Sequence, residues 1–129
     1  MTPEQQDRYN ATSYPEMVEM LAKPGRQIIS ELMADQAHAL HMAVGIAGES
    51  GELLDAIKKH TMYQKPLDRE NVVEELGDLE FYMEGLRQGL GITRAETLDA
   101  NKLKLLGKRY ASGKYSNDQA ITRADKEAV

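Results

Sequence analysis

Two pairs of carboxylates repeat the same spacing in this chain. Glu49 and Glu52 form the first pair, Glu75 and Asp78 form the second, and each pair lies in a segment of helical periodicity. Residues three apart share one face of an α-helix, so each pair presents two carboxylates in one direction from consecutive turns. If the two helices pack side by side, four carboxylates converge and a bound cation offsets their repulsion. Oxygen ligands without sulfur favour Mg²⁺, with Mn²⁺ as the alternative.

The second pair lies beside a stripe of apolar residues. Between Arg69 and Leu90, apolar residues recur at steps of three and four, namely at Val72, Leu76, Leu79, Met83 and Leu86. This spacing predicts a core-facing stripe, and Glu75 lies at its border. A carboxylate there is partly desolvated, which makes an unpaired charge costly and favours a bound cation. The alternative interpretation is that both acidic pairs belong to an ordinary solvated face.

Three glycines surround the first pair. Gly45, Gly48 and Gly51 recur at every third position of a stretch that otherwise favours helix. Each costs about 1 kcal/mol relative to alanine in a helix interior, so the pattern needs a compensating reason. The glycines either let a neighbouring helix approach closely or leave room for a ligand beside Glu49 and Glu52. Close packing is the favoured explanation, and the two are compatible.

The elements that position these residues are all expected to be helices. A short helix is predicted from Tyr14 to Ala22, with Pro15 in its first turn, and it is ended by Lys23, Pro24 and Gly25. A long helix is predicted from about Arg26 to Lys59. Its expected buried face consists of Leu40, Val44, Ala47, Leu54 and Ile57.

A loop from His60 to Leu67 separates the long helix from the next one, for which Asp68 is a suitable N-cap. That helix is predicted to stop near Gly89 or Gly91. The sequence from Thr93 to Glu96 then has the form of a capping box and opens a helix that extends to about Tyr110.

The loop from His60 to Leu67 is expected to reverse the chain and bring the two acidic pairs to similar heights. The predicted fold class is therefore all-α, an antiparallel helical bundle of the four-helix type that oligomerisation completes. The expected organisation is an N-terminal helix and linker over 1–25, a helical domain over 26–111 and a polar C-terminal arm over 112–129 with a possible short helix.

Composition restricts the class of protein. The chain has 129 residues, no cysteine and a formal net charge of −5. The length fits one domain with a modest core, and the absence of cysteine excludes disulfides and thiolate ligands. No apolar stretch reaches the length of a membrane span, and the N-terminus does not resemble a signal peptide. We therefore expect a soluble cytoplasmic protein that binds neither a membrane nor a nucleic-acid polymer, which requires a concentrated basic surface.

Two acidic segments of the chain resemble a known family. The sequence from Gly48 to Asp55, followed by the sequence from Val73 to Leu79, resembles the E-x-x-E and E-x-x-D signature of the MazG-like, all-α nucleoside triphosphate pyrophosphohydrolases. The signature is specific as a correctly spaced pair of motifs, although either half alone is weak. The resemblance extends from about Leu40 to Tyr115, and it makes 26–111 a MazG-like helical domain.

The resemblance implies hydrolysis of a nucleoside triphosphate to the monophosphate and pyrophosphate. By position, Glu49, Glu52, Glu75 and Asp78 would hold Mg²⁺, and Glu49 or Glu52 would also act as the general base, with Glu52 favoured. The family also implies a homodimer or homotetramer. Deoxynucleotides such as dUTP or dCTP, nucleoside triphosphates in general and the alarmone ppGpp are the substrates compatible with it.

Basic and aromatic residues outside the acidic pairs are the candidates for binding the nucleotide. Lys59, or its neighbour Lys58, ends the long helix near the acidic site and can neutralise phosphate, and Tyr82 can contact the nucleotide or simply pack in the core. The resemblance adds a phosphate-contacting segment that begins at Asn101. The candidates in this segment are Asn101, Lys102, Lys104, Lys108 and Arg109. The spacing leaves open which of the three lysines contacts phosphate.

Other polar residues have simpler explanations. Asp55 is expected to pair with Lys58 or Lys59 instead of joining the metal ligands. His38 and His41 are three apart, but two histidines without a nearby third ligand favour packing over zinc binding. The alternative to an enzyme is a non-catalytic helical oligomer or regulatory protein whose carboxylates hold a structural cation.

Overall fold

The computed structural model describes residues 1–126, and every regular element in that range is a helix. This confirms the all-α prediction. The chain divides into two compact units, of which the first is Met1–Ala34 and the second begins at Asp35. None of the helices in the described range combines the length and the apolar character needed to cross a membrane.

The first unit contains three short helices, which are α1 (Pro3–Ala11), α2 (Tyr14–Leu21) and α3 (Gly25–Glu31). The prediction of α2 is confirmed, including Pro15 in its first turn. The sequence analysis missed α1, although the signal was present. Thr2 and Gln5 form a reciprocal capping box at its N-terminus, like Ser13 and Glu16 in α2.

The predicted long helix from Arg26 to Lys59 is wrong, because the chain forms two helices there. The first, α3, ends at Glu31, and α4 spans Ala34–Met62. Between them Leu32 has extended backbone angles, φ −70° and ψ 121°, which cannot continue a helix. Both Leu32 and Met33 are good helix formers, so apolar periodicity and propensity gave no signal for this break.

The second unit contains α4, α5 (Arg69–Leu90), α6 (Arg94–Lys104) and α7 (Asn117–Thr122). The start of α5 is as predicted, because the Asp68 side chain accepts a hydrogen bond of 3.1 Å from the Asn71 N–H. Gly91 ends α5 in the left-handed conformation at φ 68°, which glycine adopts without a steric penalty.

The helix predicted from Arg94 to Tyr110 is shorter than expected. The Thr93 hydroxyl caps α6 by accepting from the Glu96 N–H at 3.1 Å, as predicted, but the helix ends at Lys104. A π-helical turn, Leu105–Arg109, follows it, and the Tyr110 N–H donates to the Leu105 carbonyl over 2.8 Å. The expected short helix in the C-terminal arm is present as α7.

Helices α4 and α5 pack against each other through glycines. The Tyr82 ring covers Gly45, the Met42 side chain covers Gly85, and the His38 ring covers Gly89. The partners on α5 move backwards along the chain as those on α4 move forwards, so the two helices are antiparallel. The close approach predicted for Gly45 is therefore confirmed, whereas Gly48 has open space around it.

The apolar face predicted for α4 is not buried within the chain. Leu40, Val44 and Leu54 are 56, 61 and 67% exposed, and Ile57 is also exposed. In the described residues only Met42 and Ala56 are buried apolar side chains. The prediction chose the wrong face because α4 carries apolar residues on two opposite faces, and the face that contacts α5 is interrupted by glycine and glutamate. The face formed by Leu40, Val44, Ala47, Leu54 and Ile57 is called the α4 stripe below.

The two kinds of glycine in α4 give opposite expectations on substitution. Gly45→Ala should lower the free energy of unfolding by about 1–3 kcal/mol, since the added Cβ overlaps the Tyr82 ring. Gly48→Ala is the matched control and should raise it by up to about 1 kcal/mol through helix propensity. Urea unfolding of both variants measures the difference. Equal stabilities would contradict the observed packing of α4 on α5.

Candidate metal centre

Three carboxylates converge where α4 and α5 meet. Glu49 and Glu52 come from consecutive turns of α4, and Glu75 comes from the facing turn of α5. One carboxylate oxygen from each lies within 4.8 Å of the others. The antiparallel packing of the two helices brings these residues together, as the sequence analysis predicted for them.

Glu75 is the most buried member of this acidic cluster. Only 8% of the residue is exposed, whereas Glu49 is half-buried and Glu52 is exposed. Burial raises the pKa of the Glu75 carboxyl, and a hydrogen bond with Glu49 and the negative charges of Glu52, Glu49 and Asp78 raise it further. Among the described residues, the charges that shift the Glu75 pKa are all negative. The cluster is therefore electrostatically unfavourable when all its carboxyls are ionised.

Asp78, the fourth predicted ligand, lies one turn beyond Glu75 on α5. It is exposed, and it is close enough for its charge to raise the Glu75 pKa. It is not among the three residues whose oxygens converge within 4.8 Å. Its participation as a ligand stays a prediction.

The acidic cluster fits a hard divalent cation. Three carboxylates supply oxygen ligands only, which suits Mg²⁺, Mn²⁺ or Ca²⁺ and disfavours ions that prefer sulfur or nitrogen. A bound cation would favour the ionised form of Glu75 and offset the repulsion among the three charges. The exposed Glu52 leaves the cluster accessible to a ligand from solvent.

Lys59 lies next to the acidic cluster but has a partner of its own. Its ammonium group is 2.8 Å from the Asp55 carboxylate, which confirms the expected pairing of Asp55. This hydrogen bond raises the Lys59 pKa, and the negative charge of Glu52 contributes as well. Lys58 instead lies over the Tyr63 ring, 5.5 Å from its centroid. The Lys59 ammonium group therefore interacts with Asp55 directly and with Glu52 of the cluster through its charge.

Tyr82 has a packing role in this structure. Its ring covers Gly45 and makes edge-to-face contacts with Phe81 and His41, with centroid separations of 5.2 and 6.3 Å. His38 also packs, because its Nε2 lies 2.9 Å from the Gly85 carbonyl oxygen. A carbonyl can only accept, so this nitrogen carries a proton. These contacts fix one tautomer of His38 and the separation of the two helices.

The basic residues predicted to contact phosphate lie in the C-terminal region, after the two helices that carry the acidic cluster. Asn101 and Lys104 lie on α6, and Arg109 ends the π-helical turn. Arg109 forms a two-pronged ion pair with Asp125, with Nε–Oδ1 and Nη2–Oδ2 distances of 2.5 and 2.9 Å. The roles of all three in binding substrate stay predictions.

Two features of the site were missed at the level of sequence. Gly77, between Glu75 and Asp78, has nothing within 4 Å of a built Cβ, and the same holds for Gly48 and Gly51. Each of these glycines adjoins a carboxylate of the two acidic pairs, so an open surface borders the site. The signal for Gly77 was its place inside a helix, where glycine is costly. Asp125 was also missed, because no local pattern links it to Arg109.

Comparison with family models, with characterised proteins and with solved structures found no match.

The raised pKa of Glu75 predicts how the metal-free protein responds to pH. In the unfolded chain the carboxyl titrates near 4.5, whereas in the folded chain it holds its proton to higher pH. Below 4.5 this contribution to stability is fully present, and it is lost as the pH rises through the raised pKa. Glu75→Gln keeps the hydrogen-bonding capacity without the charge. In EDTA, its melting temperature should exceed that of the wild type at neutral pH and the gain should shrink towards pH 4.5.

Glu74→Gln is the matched control for this titration. Glu74 is exposed and is not a member of the acidic cluster, so its substitution removes one charge from the same helix without affecting Glu75. A melting temperature that changes with pH in the same way for both variants would contradict the assignment of the effect to Glu75.

Proposed function

We propose that this chain is a Mg²⁺-dependent nucleotide pyrophosphohydrolase of the MazG-like, all-α type, which converts a nucleoside triphosphate to the monophosphate and pyrophosphate. The observation that carries the proposal is the convergence of Glu49, Glu52 and Glu75 across an antiparallel helix pair. These are three of the four positions that the resemblance assigns to the metal.

The reaction requires groups that this site can supply. Water attacks a phosphorus atom, a new P–O bond forms, and the bond to the departing pyrophosphate breaks. The phosphate charge must be neutralised and the attacking water must lose a proton. A Mg²⁺ ion held by Glu49, Glu52, Glu75 and Asp78 would supply the neutralisation. A carboxylate of the cluster would accept the proton.

Glu52 suits the role of general base better than Glu49. The Glu49 carboxyl is half-buried, so water has less access to it. Glu52 is exposed and can meet a water molecule that arrives with the substrate. A base must reach the proton that it takes, and Glu52 has the more open approach.

The surroundings of the cluster can accommodate a triphosphate. A Cβ built on Gly48, Gly51 or Gly77 meets nothing within 4 Å, so the surface beside the carboxylates is open to a ligand. Lys59 can turn from Asp55 to a phosphate, because both partners are about half exposed and an exposed ion pair contributes little stability. Asn101, Lys104, Arg109 and Tyr82 remain further candidates for contact with the nucleotide.

The proposed enzyme is a homodimer or homotetramer. The described residues bury only two apolar side chains, whereas the α4 stripe is exposed. A chain of this size needs a larger core than that for stability. Packing the α4 stripe against a second copy would supply it, in the arrangement of a four-helix bundle.

Pyrophosphate release tests the proposed activity directly. Purified protein is incubated with a panel of NTPs and dNTPs, in Mg²⁺ and in EDTA, and ppGpp is included with its phosphate products followed separately. Turnover that depends on Mg²⁺ is the expected result, and the panel identifies the substrate. No turnover of any nucleotide by folded, metal-loaded protein would overturn the proposal.

A second function is favoured by the pairing of the basic residues. Lys59 and Arg109, two of the expected phosphate-binding cations, each form an ion pair with an aspartate. This is the arrangement of a non-catalytic helical oligomer in which the acidic cluster holds a structural cation. In that case a divalent ion should raise the melting temperature while no nucleotide is cleaved.

A further inference from the structure

The charge of the chain is strongly segregated. Residues 101–126 contain seven lysines and arginines and two aspartates, whereas residues 1–100 contain nine basic and eighteen acidic residues. The basic part begins in the last turn of α6 and includes the π-helical turn and α7. A local excess of positive charge attracts phosphate-bearing anions in an otherwise acidic protein.

Asp125, one of the two aspartates in this basic part, forms an ion pair with the guanidinium group of Arg109. The Asp125 side chain is fully buried, and the Arg109 side chain is 18% exposed. Two parallel N–H···O bonds join them, which is the same fork that arginine offers to a phosphate group. The pairing lowers the pKa of Asp125 from 3.8 to about 2, so the carboxylate is ionised at physiological pH.

Besides this fork, an exposed hydrogen bond of 3.2 Å from the Ser112 hydroxyl to Gln119 Oε1 holds the segment that carries Asp125. Helix α7 contributes no buried residue, and its Ile121 is 80% exposed. Arg123, two residues before Asp125, has a left-handed backbone at φ 50°, which is strained for a residue with a side chain. The Arg109–Asp125 fork is therefore a buried anchor for the end of the segment, whereas the Ser112–Gln119 hydrogen bond is exposed.

We propose that residues 116–126 form a displaceable strap, in which Asp125 occupies an anion site at Arg109 that a phosphate-bearing ligand takes over. When the ligand binds, the Arg109 guanidinium donates to two phosphate oxygens in place of the two Asp125 oxygens. The strap is then released, and Asp125 becomes exposed to solvent. This inference does not rest on the proposed hydrolysis, since it requires only that an anion binds at Arg109.

Inorganic pyrophosphate in EDTA is the probe, because without a divalent ion it is not held at the acidic cluster. Binding is followed by calorimetry at constant ionic strength, and the strap by hydrogen exchange of the α7 amides. Pyrophosphate should speed exchange in α7, whereas sodium chloride at equal ionic strength should not. Asp125→Asn weakens the competing fork, so its affinity for pyrophosphate should rise about tenfold, as expected when the binding-competent state is rarely populated.

Asp118→Asn is the matched control, since it removes the same charge from the first turn of α7. It should leave the affinity within about twofold of the wild type, which is the effect expected of a distant exposed charge. Unchanged α7 exchange in the wild type, or equal affinities of Asp125→Asn and Asp118→Asn, would show that the Arg109–Asp125 pair is only structural. If Asp125→Asn does not fold, the exchange measurement on the wild type alone decides.

Discussion

Glu52→Gln should reduce pyrophosphate release about 10³-fold while the protein stays folded and still binds a divalent ion. The substitution removes the carboxylate that we assign as general base, and general-base catalysis typically contributes a factor of this order. Glu52 is the exposed member of the cluster, so its loss leaves Glu49 and Glu75 to hold the cation. The expected result is therefore a fall in kcat with a smaller change in metal affinity.

Glu75→Gln should give a different pattern from Glu52→Gln. It removes the buried carboxylate of α5 that we propose as a metal ligand, so the metal should bind more weakly, with activity partly recovered at high Mg²⁺. Glu74→Gln, on the exposed side of the same helix, should retain wild-type activity. Steady-state assays over a range of Mg²⁺ concentration separate the two patterns. Full activity in both cluster variants would exclude a catalytic role for these carboxylates.

The acidic cluster could be predicted from the sequence because the features that determine it are local. The spacing of Glu49 and Glu52 fixes their common face, and the caps at Asp68 and Gly91 fix the extent of α5. A connection of only six residues between α4 and α5 then brings the helices into antiparallel contact. These features require no knowledge of the rest of the chain.

The face of α4 that packs on α5 could not be predicted in the same way. Apolar spacing favoured Leu40, Val44 and Leu54, but in the structure the contact uses Met42 and Gly45. Glycine is not counted as apolar in a periodicity analysis, yet it sets how closely the helices approach. The Arg109–Asp125 pair could not be predicted for another reason. Its members are sixteen positions apart in the sequence, and no repeating pattern connects them.

The exposed α4 stripe gives the second large prediction. Leu54→Glu should convert an oligomer into monomers, or unfold the chain if the monomer is too unstable to fold. Burying one leucine contributes about 1.5–3 kcal/mol, and a two-fold interface contains the substitution twice, so the dissociation constant should rise by about 10² to 10⁴. Sedimentation equilibrium measures this, with the wild type expected at two or four times the chain mass of 14.4 kDa.

Ile121→Glu is the matched control for Leu54→Glu, because it places the same charge on an even more exposed apolar residue, 80% against 67%. It lies on α7, outside the α4 stripe, and should leave the assembly unchanged. A wild type that is monomeric and stable would contradict the prediction, since two buried apolar side chains would then suffice for the described part of the chain. If instead Leu54→Glu alone dissociates the protein and also abolishes pyrophosphate release, the acidic cluster depends on the second copy for its stability. The exposed stripe and the metal centre would then be two faces of one helix, α4, with one used for assembly and the other for chemistry.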